Sequence, residues 1–343
     1  MNKCSSEVGT SVSRYMPQFK KTLVQSATYL GVRFSSSTLF IGAARSAVQK
    51  AKLASGAFVG ALSRSGCNSI ESQSRVFDAV VSGCLMYAAP IWALRYSEML
   101  ETVQVGFYKR LLRLGRSTPN YYVRAEVGRR PLVLKLVQMA LSWVCKIAAL
   151  AEDRYPRLCL DLLAAKHGTR GNVIKYNWWS QLVALIGRFG ATLDWPPPSP
   201  EDMKRRCGEI LEAVELRLWE EEYRSLALGR YNTWFKDAVI LGGAQPYLVD
   251  PDSPFIFKQV LAQLRTSGEY QFTLKMNKYT YRFRPREPCS LCRLDANEDV
   301  FHVFSVCPIY SSLRRHYFPG LVGASREEFY QRFFLETTAD TVS

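Results

Sequence analysis

The 343-residue chain holds only three histidines, His167, His302 and His316. So small a stock argues against a Ser-His-Asp or Cys-His centre, which needs an imidazole within hydrogen-bond reach of its nucleophile. His167 sits in Lys166-His-Gly168, which reads as a helix end where an imidazolium suits the dipole, and His316 stands beside Arg314 and Arg315. No G-x-x-x-x-G-K-[ST] segment exists to cradle nucleotide phosphates. Met1 to Arg14 lacks the apolar stretch of a signal peptide. The best membrane candidate, Ala79 to Leu94, is sixteen uncharged residues interrupted by Pro90. That is short for a span and reads as a buried core helix, so no membrane partner is expected. There is no fixed-period repeat, and no low-complexity tract beyond one proline run.

Nine cysteines are an odd count, and Cys67, Cys84, Cys145, Cys159 and Cys207 are scattered through helical-looking stretches. This pattern favours reduced thiols in an intracellular compartment, nuclear or cytoplasmic, over a disulfide scaffold. The chain is 48% apolar and 13% aromatic, the composition of a folding chain. It carries 45 Lys and Arg against 30 Asp and Glu, a formal +15. Such an excess suits a polyanion, nucleic acid before acidic membrane, although a solvated basic face has the same charge.

Four of the twelve Cys and His fall within 19 residues as Cys289-x2-Cys292-x9-His302-x4-Cys307. Zinc favours four tetrahedral thiolate and imidazole ligands, and structural sites fill all four places with protein. The C-x-x-C pair supplies two sulfurs from one turn, which Pro288 suits. Val300, Phe301, Val303, Phe304 and Val306 are expected to pack around the ligands. Core cysteines beside an unrelated histidine are the alternative. No βαβ pattern surrounds the pair to favour a redox role.

In chain order, 27–34 is aromatic and β-branched and reads as a strand, then 39–63 as an Ala-rich helix containing Gly56 and Gly60. A long apolar helix is expected after Ser69, ending near Pro90. From Glu98 to Leu114 the residues Leu100, Val103, Phe107, Leu111 and Leu114 form one helical stripe. Pro131 opens a further helix carrying Leu132, Leu136, Met139, Trp143, Ile147 and Leu150. Four prolines within 196–200 read as a stiff spacer. A charged helix follows over 201–228 with the stripe Ile210, Val214, Leu218 and Trp219; Glu220 to Glu222 read as a solvated patch. Residues 242–254 read as a loop and 255–266 as a short helix.

Two stretches suit nucleic acid. Between Lys109 and Lys135 stand eight basic residues against Glu126 alone, a net +7: Lys109, Arg110, Arg113, Arg116, Arg124, Arg129, Arg130 and Lys135, with Tyr121 and Tyr122 interleaved. Lys and Arg neutralise phosphates, and tyrosine rings stack on bases. A solvated face over two core tyrosines is the other reading. From 271 to 286, Lys275, Lys278, Arg282, Arg284 and Arg286 alternate loosely with aromatic residues and lead into Cys289.

The order Tyr29-Leu-Gly-Val32, Leu85-Met-Tyr-Ala-Ala-Pro-Ile-Trp92, Arg116-Ser-Thr-Pro-Asn120, Ala125-Glu-Val-Gly128 and the Cys/His module ending Cys307-Pro-Ile-Tyr310 resembles the C-terminal portion of animal non-LTR retrotransposon reverse transcriptases of the R1, I and Jockey-like kind. The resemblance covers nearly the whole chain. It implies a mainly α fold: a helical thumb-like bundle with a short N-terminal β element, a second helical region and a small C-terminal zinc module. The divisions expected are 1–38 as a palm end, 39–193 as thumb, 194–200 as linker, 201–270 as connector, 271–320 as basic arm and zinc module, and 321–343 as tail. It also implies that Cys289, Cys292, His302 and Cys307 bind zinc as a knuckle, and that the basic run grips RNA or DNA. Nine residues separate Cys292 from His302, unlike the short retroviral knuckle.

Polymerase chemistry needs paired carboxylates holding two metal ions about 4 Å apart. The family places an Asp-Asp pair upstream of Tyr-Leu-Gly-Val; here no Asp-Asp dipeptide occurs, and only 28 residues precede Tyr29. The expectation is a truncated reverse-transcriptase region that binds nucleic acid without polymerase activity of its own. The alternatives are an accessory portion serving a separate polymerase chain, or a host interaction protein with a purely structural zinc site.

Overall fold

The computed structural model describes residues 25–36, 39–169, 174–276, 278–292 and 294–334. The basic pair Lys20 and Lys21 lies outside them, as do residues 335–343. The fold is mainly helical; among the described residues, the named strands form two antiparallel hairpins.

Strands β1 (Ser26–Tyr29) and β2 (Val32–Ser35) pair with Tyr29 opposite Val32. The single strand expected over 27–34 is therefore a hairpin. Leu30 and Gly31 both take positive φ, 46° and 77°, the hand that a two-residue hairpin turn requires. The Tyr87 hydroxyl donates to the Leu30 carbonyl at 2.7 Å, so two of the family-like motifs touch here.

Helix α1 (Ile41–Ser65) lies against helix α3 (Ser97–Leu111). Its buried residues Ala44, Val48, Ala51 and Ser55 recur at helical spacing, and their small size brings the axes close. A Cβ on Gly56 would meet the Arg110 side chain of α3 at 3.6 Å, and one on Gly60 only Arg64 of its own helix, so neither glycine is needed for a close approach of the backbones. Between them, α2 (Ile70–Val76) starts at Ser69, whose Oγ accepts from the Ser72 N–H. It continues through a π-helical turn (Phe77–Ser82) into a short helix (Gly83–Met86). The unbroken helix expected here stops at Ala88, which has φ 51°, before a second short piece (Ala89–Trp92) holding Pro90. Phe77, Val81, Leu85, Ala89 and Trp92 are all buried in the main core.

Helix α4 (Asn120–Val127) ends at Gly128 and leads to α5 (Leu132–Ala148), the centre of the bundle. The buried face of α5 is Leu136, Val137, Ala140, Leu141, Val144 and Ala148. Of the residues that the sequence assigns to this helix, Trp143 is exposed, and Leu150 is exposed and lies beyond its end. The helix is apolar nearly all round, so periodicity could not select its inner face. Helices α6 (Tyr155–Ala165) and α7 (Trp178–Gly187) close one side. Helix α8 (Pro200–Ala227) lies along α5 and buries Met203, Cys207, Ile210, Val214 and Leu218. Each such side chain contributes ~1.5–3 kcal/mol on burial.

The proline segment is pinned to this body instead of spacing it. The Trp195 indole donates to Asp161 at 2.6 Å, sits under the Arg157 guanidinium at 4.7 Å, and meets Trp179 edge-on. One core runs from Val32 to Ala262 across the segment. Within the expected loop, Pro246–Val249 forms a helical turn that buries Leu248.

Helix α9 (Phe255–Arg265) straddles two cores: Ala262 faces the first and Leu264 a second. The second core is built by strands β3 (Phe272–Met276) and β4 (Tyr279–Phe283), Val300, Leu321, and Phe329 and Phe333 of helix α11 (Arg326–Phe334). Helix α10 (Ser311–Tyr317) lies between. Residues 326–334, expected in a tail, are thus part of the packed module. A third cluster joins Tyr122, Leu226 and Phe235.

Candidate metal centre and basic cleft

Backbone pairing brings Cys289 and Cys292 together. Pro288 bridges Asn297, and the Cys289 N–H donates to the Ala296 carbonyl at 2.8 Å, which sets 288–289 against 296–297. His302 opens a π-helical turn (His302–Val306) that Asp299 starts, accepting the His302 N–H at 2.7 Å. In this turn the Cys307 N–H bonds the His302 carbonyl at 2.7 Å, which stacks the two ligands on one side. Val300 is buried, and Phe301 and Phe304 pack on the second core, but Val306 points outward.

The donor atoms of Cys289, Cys292, His302 and Cys307 all lie within 4.8 Å of one another, with Cys292 Sγ 3.3 Å from His302 Nε2. A tetrahedron with Zn–S of about 2.3 Å and Zn–N of about 2.0 Å has edges of roughly 3.5–3.8 Å, so the set fits one small ion. Cys289, His302 and Cys307 are buried. Burial holds the His302 imidazole below its ordinary value, which keeps it a neutral donor. Burial opposes ionisation of Cys289, but the N–H groups of Cys292 and Leu291 donate to its sulfur and leave the thiol below its usual range. Cys307 is pushed up by burial and by the neighbouring sulfurs. Asp299 also pairs with Arg326 of α11, and Arg314 donates to the Cys307 carbonyl, so both flanking helices brace the ligands.

The basic run divides. Arg124 is held by Glu101 and Glu222, so Glu222 is not the solvated residue expected. Arg129 pairs with Asp78 over the Phe77 ring. Arg130 lies 3.5 Å from Glu215 and over Trp219. Tyr122 is fully buried, stacked on Phe235 at 4.1 Å, and cannot meet a base; half-buried Tyr121 packs edge-on against it. These residues hold the body together: Arg124 joins α4 to α3 and α8, and Glu101 also accepts the Leu132 N–H at the start of α5.

Lys109, Arg110, Arg113 and Arg116 gather differently. With Lys275 from β3 and Lys52 from α1 they line one open cleft of about 530 Å³, along which no carboxylate of the described residues lies. Arg113 has φ 57°, and its buried Nη1 has no hydrogen-bond partner among the described residues. Lys109 Nζ donates to the Arg116 carbonyl and to Asn120 Oδ1, bracing the Arg116–Asn120 loop, and burial lowers its pKa. Lys52 was not singled out from the sequence; only its place on a basic helix hinted at it.

On the hairpin, Lys278, Arg282, Tyr279 and Tyr281 are exposed. Arg284 pairs with Glu287 at 3.0 Å, and Arg286 lies 3.8 Å from Glu269 and over Tyr270. Both arginines are exposed, where such contacts contribute little and leave the guanidinium able to exchange partners. Among the described residues no single helix is long and apolar enough to cross a membrane.

Fold and site together define a helical protein with a four-ligand Cys/His centre and a cationic cleft. Over 296 residues, 85% of its length, the chain is 22% identical to a 115 kDa protein ascribed to the type-1 retrotransposable element R1DM of Drosophila melanogaster. The chain spans 24% of the length of that relative. No family model and no solved structure matches it.

Proposed function

We propose that the chain is a retrotransposon-derived nucleic-acid-binding protein, corresponding to the C-terminal part of a non-LTR reverse transcriptase. In this reading Cys289, Cys292, His302 and Cys307 hold a structural zinc ion, which staples the module bearing Lys275, Lys278, Arg282, Arg284 and Arg286. The chain binds RNA or DNA and joins no nucleotides by itself. Residues 39–193 act as the thumb-like body, and the parts after the proline segment present the metal module.

The observation that carries the reading is the cleft: six cations from three separate chain segments face one space without a carboxylate of the described residues along it. Like charges gathered so closely repel, and a polyanion relieves that repulsion while releasing its own counterions. Fluorescence anisotropy with labelled RNA and DNA across a salt series tests it. Affinity is expected to fall steeply from low to physiological salt. Absent or salt-insensitive binding would favour a protein-interaction module with a metal staple. Primer extension on a templated duplex is expected to give no product; product would refute the view that the chain lacks polymerase chemistry.

A further inference from the structure

We infer that the cationic cleft continues into a separate, uncharged pocket that takes the neutral part of one nucleotide, its base or sugar, while the phosphates lie among the cations. The inference rests on the nucleic-acid reading above and adds a site of discrimination to it.

The pocket lies where the loop after α3, the end of α9 and the start of β3 meet. Its volume is about 200 Å³, below the ~300–1,000 Å³ of pockets that enclose a drug-sized ligand, so it suits a single base or sugar. Ser117, Thr118, Ser267, Gln271 and Thr273 line it, with the Tyr231 ring as one wall; no charged side chain of the described residues does. Gly268 seats that ring, because a Cβ there would stand 2.9 Å from Tyr231 Cζ.

The chemistry of the lining selects the occupant. Those five side chains make no hydrogen bond to another described residue. Thr118 is only 3% exposed, yet its hydroxyl is among them. A hydroxyl enclosed so far gains a partner only from what enters the pocket. Four hydroxyls and one amide can both donate and accept, which matches the mixed edge of a base or the hydroxyls of a sugar. Phosphate finds no cation here, and the carbonyl end of α9 beside Thr266 opposes an anion. A purely apolar ligand would leave all five groups unpaired.

Two chain segments pass directly from the cleft into the pocket. In the loop after α3, Arg116 lines the cleft, and Ser117 and Thr118 line the pocket. In β3, Lys275 lines the cleft and Thr273 the pocket. Two apart on a strand, they share a face and stand about 7 Å from each other. That step is the reach of one nucleotide from phosphate to base. Leu114 borders both spaces. Gln263 Oε1 accepts the Lys275 N–H at 2.7 Å, which fixes β3 against α9 where the two spaces meet.

The test measures binding of the full zinc-loaded chain to labelled homopolymer strands of each base, as RNA and as DNA, and to an abasic sugar–phosphate strand of equal length. Thr118→Val/Thr273→Val removes two hydroxyls at constant shape and charge. Lys52→Glu/Lys275→Glu instead reverses two exposed cations of the cleft. The unmodified chain is expected to bind its preferred strand about ten-fold tighter than its weakest, the order that two hydrogen bonds supply. The threonine pair is expected to shrink that spread below about three-fold and to leave the slope of log K against log salt unchanged, because no phosphate contact is lost. The lysine pair is expected to flatten the slope and keep the spread. Loss confined to base-bearing strands assigns the pocket to the base; loss on the abasic strand as well assigns it to the sugar. Thr273→Val alone, at a half-buried position, gives a smaller reduction of the same kind and serves where the pair does not fold. No spread in the unmodified chain, or a spread that survives the threonine changes, overturns the inference and leaves general nucleic-acid binding standing. No binding of any strand overturns both.

Discussion

Arg265 on α9 places its Nε 2.7 Å from a carboxylate oxygen of Glu126 on α4, and both side chains are closed to solvent. The Tyr247 hydroxyl donates to the same carboxylate, and Arg265 Nη2 donates to Gln245 Oε1 at 3.0 Å. The one acidic residue in the basic run is therefore a structural anchor. Removing either partner leaves a buried charge uncompensated, which costs ~3–5 kcal/mol. Glu126→Gln is expected to lower the urea midpoint accordingly. Glu126→Gln with Arg265→Met is expected to cost less than either change alone, because no orphan charge then remains.

Gly128 follows Glu126 by two residues and has a separate reason to be glycine. Its φ is +65°, and a Cβ there would stand 2.2 Å from the Ala244 nitrogen and 2.3 Å from the Gly243 carbonyl carbon. Backbone cannot swing aside as a side chain can. Gly128→Ala is expected to cost about 4 kcal/mol or more, read as loss of a cooperative unfolding transition. A variant with wild-type stability would mean that the 242–245 loop does not dock on α4.

Tyr122 ties the third cluster together and should report in the alkaline limb. Burial pushes its phenol up to about 12, against 10.0 in an open chain. Between these values the unfolded state has lost the proton and the folded state has kept it. Stability is thus intact below pH 10 and falls as pH rises towards 12. Over one pH unit the loss from this residue is about 1.4 kcal/mol. Comparing Tyr122→Phe with the unmodified chain at pH 9 and pH 11 is expected to show a smaller alkaline loss in the variant. Equal losses would remove Tyr122 from the explanation.

Asp299 accepts the His302 N–H and pairs with Arg326, so it orients a ligand while anchoring α11. Asp299→Ala is expected to weaken metal affinity 10–100-fold, the usual effect of losing a residue that orients a ligand. Competition against a chromophoric chelator measures it, and unchanged helical circular dichroism would localise the effect to the module. Unaltered affinity would show that the turn holds His302 without Asp299.

The sequence displayed whatever one period can display. Leu100, Val103, Phe107, Leu111 and Leu114 are all buried as their spacing predicts, and so are Ile210, Val214 and Leu218. Spacing also singled out the tetrad, because four ligands within one short stretch need no long-range folding to meet. Partners distant in sequence were not visible. Nothing local says that Arg124 meets Glu222, that Tyr122 stacks on Phe235, or that Lys52 and Lys275 face Arg113 across a cleft. The basic run therefore read as one surface, whereas tertiary packing pairs three of its eight cations, Arg124, Arg129 and Arg130, with carboxylates. Positive φ at Leu30 and Ala88 was equally hidden, since neither residue type announces it.

The module of Cys289, Cys292, His302 and Cys307 shares a core with the basic hairpin, so whether these four side chains hold an ion, and with what geometry, matters most. X-ray absorption on zinc-loaded protein, with one-to-one metal content confirmed by mass spectrometry, reads that shell. Three sulfurs at about 2.3 Å and one nitrogen at about 2.0 Å are expected. An oxygen-rich shell, fewer than three sulfurs, or no tightly held metal would contradict a centre built from Cys289, Cys292, His302 and Cys307.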